Sequence, residues 1–92
     1  MAEQPKRNFK AIVADVTEGF VSINPIFLKP FNEGALKSLH AAIEKKQIEI
    51  RIEVFPYHDV ELIRKRNLKL QRLYTALIVI KNFAREKKIS LK

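Results

Sequence analysis

The chain has 92 residues, 47% hydrophobic and 30% charged, with 18 Lys and Arg against 10 Asp and Glu for a net charge of +8. That length supports one hydrophobic core, and the composition is globular rather than disordered. Cysteine is absent, which excludes disulfides, thiolate metal sites and cysteine nucleophiles and fits a reducing compartment.

Residues 1–8 read as a polar N-terminal tail, and residues 9–92 as a single basic domain. The longest strictly apolar run, Ala76 to Ile80, is five residues, far below the roughly 20 that cross a bilayer. No transmembrane segment is expected, and the expected location is cytoplasmic.

Phe9 to Val16 and Phe20 to Ile23 are rich in β-branched and apolar residues. With Thr17-Glu18-Gly19 between them they read as a β-hairpin, Gly19 taking a positive-φ bulge position. Asn24-Pro25 stops the second strand, because proline cannot donate to a ladder. Ile26 to Leu28 reads as a short extended piece ended by Lys29-Pro30.

A helix follows. Asn32 is a good N-cap, and Phe31 with Leu36 has the spacing of a hydrophobic staple across a helix start. Leu36, Leu39 and Ile43, with Ala35 and Ala42, make one apolar face. Lys45-Lys46 would close it in the last turn, where cations meet the negative end of the helix dipole. From Gln47 to Phe55, Ile48, Ile50, Ile52 and Val54 alternate with Glu49, Arg51 and Glu53. Such alternation predicts a strand with one aliphatic and one wet face, ended by Pro56.

The last helix is expected to start near Asp59, an N-cap candidate, and run to about Glu86. Leu62, Ile63, Leu70, Leu73, Tyr74, Leu77, Ile80 and Ala84 would form its core face, with Arg66 falling inside it. The expected fold is thus α+β in the order β-β-α-β-α. A three-stranded one-sided sheet carries two helices on its apolar face, and the last helix is long and basic.

Charge is concentrated at the C-terminal end. Residues 1–61 hold 8 basic and 9 acidic side chains, whereas residues 62–92 hold 10 basic side chains and one acid, Glu86. Asymmetry of this kind bears on partners rather than fold. Lys65, Lys69 and Arg72 fall within about 60° of arc on a helical wheel, flanked by Arg64, and Lys87 returns to the same side. A cationic row at helix spacing can track phosphates, so Arg64, Lys65, Lys69, Arg72 and Lys87 are the candidate nucleic-acid contacts, for DNA or RNA. Asn67 and Gln71 lie near enough to reach base edges. The bland alternative is a solvated face.

Ile78, Val79 and Phe83 point away from the expected core face. Exposed apolar clusters tend to mark interaction sites, so these three are the candidate interface of a homodimer or of contact with an acidic protein. The alternative is that the chain after Glu86, with Ile89 and Leu91, folds back over them, or that the two expected hairpin strands cover them.

Catalytic signals are thin. His58-Asp59 lacks a third convergent ligand, His40 lies at the edge of an apolar face, and Asp15, Glu18 and Glu61 form no acid–base pair. Gly19 and Gly34 are the only glycines, too few for a phosphate-cradling loop, and no Walker, zinc-protease or nucleophile-elbow motif is present. No enzyme, metal or cofactor is expected. The sequence reading is a small basic nucleic-acid-binding protein acting through its last helix as a homodimer. A protein-interaction adaptor docking through the same helix is the alternative.

Overall fold

Four short polar side chains decide where the secondary structure begins. The computed structural model describes residues 8–53 and 58–91. Among them the chain forms four helices and no strand: α1 (Phe9–Glu18), α2 (Pro25–Leu28), α3 (Glu33–Ile52) and α4 (Val60–Glu86). Asn8, Asn24, Asn32 and Asp59 accept from the backbone N–H groups of Ala11, Phe27, Ala35 and Leu62 at 2.7 to 3.1 Å. Each cap satisfies an amide that the first helical turn leaves without a partner.

The expected α+β fold is therefore corrected to an all-helical one. The first expected strand, Phe9 to Val16, is α1. Phe9, Ile12, Val13 and Val16 stand at i, i+3, i+4 and i+7, the spacing of one helix face. Val13 and Val16 are buried, and Phe9 and Ile12 pack against the same core. β-branching favoured a strand there, and the period of the apolar positions prevails.

Gly19 does adopt a positive φ, +85°, but as a helix terminus rather than a hairpin bulge. Its N–H donates to the Val16 carbonyl, and the Phe20 N–H donates to the Asp15 carbonyl. These are the two bonds of a Schellman ending. Phe20 to Ile23 is not a strand but the connection into α2, and Asn24-Pro25 starts a helix instead of stopping a strand. Asn24 is the cap and Pro25 the first residue, where its missing N–H costs nothing. This one-turn α2 seats Leu28 in the core, and Phe31 just beyond it packs edge-on against Phe9 and tilted against Phe27.

The expected third strand is the second half of α3. Leu36, Leu39, His40, Ile43, Gln47 and Ile50 are its buried residues, a face that runs unbroken at helical spacing through the alternating segment. Ile50 is 5% exposed, but Ile48 is 57% and Ile52 is 74% exposed. The alternation of Ile and Glu thus does not sort residues into inside and outside. Glu, Lys and Gln are good helix formers, and among the described residues no partner strand exists to reward an extended conformation. Lys45 and Lys46 consequently fall mid-helix, and Arg51 occupies the last turn. Residues 1–7 of the expected tail, the strand end at Val54 and Phe55, and Pro56 as its stop lie outside the described residues.

α3 and α4 run antiparallel. His40 and Glu44 share a cleft with Ala84 and Arg85, whereas Ile50 and Glu53 share one with Lys69. α1 packs across both, and α2 packs on α4. The α4 core face consists of Leu73, Ala76, Leu77, Ile80, Phe83 and Ala84. Leu62 and Tyr74, expected on that face, are exposed. After Glu86 the chain turns at Lys88, φ +58°, and Ile89 and Leu91 pack back against the core. The radius of gyration is 14.5 Å, against about 12 Å for a compact chain of this length. The excess reflects the length of α4, about 40 Å at 1.5 Å per residue. No helix among the described residues is long and apolar enough to cross a membrane.

The helical reading of the alternating segment separates neighbouring isoleucines. Ile50→Ala is expected to cost about 2–4 kcal/mol as a buried large-to-small change. Ile48→Ala should change stability by about 0.5 kcal/mol or less. Urea denaturation measures both, and equal losses would contradict a helix there.

Candidate nucleic-acid interface

The cationic row divides once its surroundings are in place. Lys65 is exposed. Lys69 instead lies half-buried with its Nζ 3.8 Å from Glu18 Oε2, across the α1–α4 contact. Arg72 reaches further in, and its Nη1 donates to the Thr17 carbonyl at 3.0 Å. That carbonyl belongs to the last turn of α1, where helix carbonyls lack internal partners and the dipole is negative. A Cβ on Gly19 would stand 2.8 Å from Arg72 Cζ, so the missing side chain admits the guanidinium as well as permitting the positive φ.

The remaining candidates are looser. Arg64 Nη1 lies 3.9 Å from Glu61 Oε1, with both side chains largely exposed, a contact that adds little stability. Lys87 Nζ sits 5.6 Å from the centre of the Phe83 ring, in cation–π range. Arg66 is half-buried, as its place in the apolar face implied.

α4 turns a different face to solvent. Arg64, Asn67, Gln71, Thr75, Ile78, Asn82 and Arg85 follow one another at steps of three or four, and all are exposed. The row spans about 30 Å at the rise of a helix. α4 carries no acid between Glu61 and Glu86, so no acid of α4 itself stands between the members of the row. Arg85 donates to Asn82 at 2.7 Å, which orders two members. Sequence reasoning picked out Asn67 and Gln71 but not Thr75, Asn82 or Arg85. The available signal was the spacing of hydrogen-bonding side chains along the acid-free stretch.

The interface candidates also separate. Phe83 is 8% exposed and Val79 packs against the core, while Ile78 stays 40% exposed. Phe83 is thus occupied within the chain. Leu68 and Tyr74 share the open side of α4 with Ile78.

Of the two histidines, His58 is exposed beside the Asp59 cap, and His40 is buried with Nδ1 3.5 Å from Glu44 Oε1. Among the described residues no three His, Cys, Asp or Glu side chains are grouped to hold a metal ion.

In comparisons with known proteins, no family model, curated protein or solved structure matches the chain.

The Arg72 contact predicts an asymmetry within the cationic row. Arg72→Ala should destabilise the fold by about 1–2 kcal/mol, through loss of a charged donor to a helix terminus. Lys65→Ala should stay within about 0.5 kcal/mol. Thermal or urea melts compare them, and equal effects would mean that Arg72 does not hold α1.

Proposed function

We propose that this chain is a small helical nucleic-acid-binding protein that presents the outer face of α4 to an anionic strand. The observation that carries this reading is the exposed row from Arg64 to Arg85, with no acid between Glu61 and Glu86. Arg64 and Arg85 supply cations for phosphates, with Lys65 and Lys81 exposed on the same helix. Asn67, Gln71 and Asn82 supply amides of the kind that pair with base edges. Lys69 faces Glu18 and Arg72 bonds the Thr17 carbonyl, so the proposed contact surface is centred on the exposed row, rotated from the row read from sequence.

A second reading has its own observation. Leu68, Tyr74 and Ile78 are exposed on the same helix, which favours docking of a protein partner, acidic to match the cations. Salt separates the two, because phosphate neutralisation releases counterions and an apolar interface does not.

Fluorescence anisotropy with labelled DNA and RNA tests the proposal. Binding is expected at about 50 mM salt, weakening by about 0.9 log units per log unit of salt for each duplex phosphate neutralised and about 0.7 for single strands. Arg64→Glu with Arg85→Glu should reduce affinity at least about tenfold while leaving the helical circular dichroism intact. Absence of binding at about 50 mM salt, where screening is weak, refutes the proposal.

A further inference from the structure

Between the α1–α2 connection and α4 lies an open cleft of about 360 Å³. Its apolar lining includes Val21, Ile23 and Leu68, and its polar lining includes Ser22, Gln71 and Thr75. Gly19 and Arg72 also line it, so a guanidinium already bonded to Thr17 contributes to its wall. Gln71 and Thr75 belong to the exposed α4 row as well, so the cleft opens beside the proposed nucleic-acid face.

Phe20 stands in the chain between two lining residues, Gly19 and Val21, and is 79% exposed. The residue two places past a helix end commonly packs back on the last turn, and Phe20 does not. Its backbone N–H is held by the Asp15 carbonyl, so the ring projects from a fixed point. The nearby acid Glu18 faces Lys69 across the α1–α4 contact.

We infer that this cleft takes an unpaired nucleobase of a single-stranded nucleic acid, stacked on Phe20 and hydrogen-bonded by Gln71, Ser22 or Thr75. The inference rests on the nucleic-acid reading of α4 and narrows it from any anionic strand to an unpaired one. Charge complementarity selects the occupant. The acid-free stretch of α4 favours a group attached to phosphates, and the mixed lining suits a planar ring with polar edges. Aromatic rings beside a cationic track are how single strands are held without strict sequence preference. A duplex keeps its bases stacked and offers nothing to the cleft.

Anisotropy with a labelled single-stranded oligonucleotide and the matching duplex, at one salt concentration, provides the test. The single strand is expected to bind about tenfold or more tighter than the duplex. Phe20→Ala should lower single-strand affinity about tenfold or more, the loss of one stacked base. Its salt slope and duplex affinity should stay unchanged, and Phe20→Trp should restore binding. Because Phe20 is exposed, circular dichroism of Phe20→Ala should match that of the parent. A 2-aminopurine placed in the single strand should be quenched by the parent and not by Phe20→Ala. Equal binding of both strand forms, or a Phe20→Ala variant that binds the single strand as the parent does, overturns the cleft assignment and leaves duplex binding by α4 standing. Loss of all nucleic-acid binding in the parent overturns both.

Discussion

The guanidinium of Arg72 under the last turn of α1 is the contact on which the arrangement of the site depends. Its Nη1 bonds the Thr17 carbonyl, a group 55 residues away in sequence, and the absent side chain of Gly19 leaves it room. Three consequences follow from this single placement. It fixes where α1 ends against α4, it removes a cation from the solvent row, and it furnishes one wall of the cleft that Gly19 and Val21 also line. Lys69 facing Glu18 adds a weaker, more exposed contact at the same junction. The side of α4 that looked like a phosphate track is therefore partly the seam between two helices.

Arg72 acts within a core assembled by three longer helices. Leu39 and Ile43 of α3, with Leu73 and Ile80 of α4, are fully buried, and α1 supplies Val13 and Val16 across them. α2 is too short to stand alone, since a single turn cannot offset the entropy of nucleation. Its Asn24 cap and Pro25 start make it cheap to form, and Leu28 anchors it. The chain between α1 and α2 is thereby held at both ends, by the Gly19 termination and by the Asn24 cap. That double constraint makes Val21, Ser22 and Ile23 a wall rather than a loose loop.

The beginning of α4 was legible because Asp59 marks it as a cap, and Asn32 likewise marked α3. The class of fold was not, for identifiable reasons. Phe9, Ile12, Val13 and Val16 satisfy a helical period, but their β-branching argued for a strand, and only the helix lets all four reach one core. Ile48, Ile50 and Ile52 alternate over too few residues to exclude a helix, and Ile43, Gln47 and Ile50 form the face that wins. Asn24-Pro25 carries the same two residues whether it stops a strand or starts a helix. The candidate site was half visible. Charge asymmetry identified α4 and drew attention to Asn67 and Gln71, whereas the rotation of α4 depends on partners distant in sequence. Nothing near Arg72 in the chain announces the Thr17 carbonyl, and nothing near Phe20 announces an exposed ring.

The central claim is that the outer face of α4 meets nucleic acid. Backbone amide NMR of the labelled protein, with an unlabelled single-stranded oligonucleotide added at low salt, tests it most directly. The account predicts that shifts concentrate at Arg64, Asn67, Gln71 and Thr75 and extend to Phe20 and Ser22. The amides of Leu39 and Ile43 on the buried side of α3 should stay unmoved. Shifts centred on Glu44 and Glu49 of α3, or an unchanged spectrum, would contradict it.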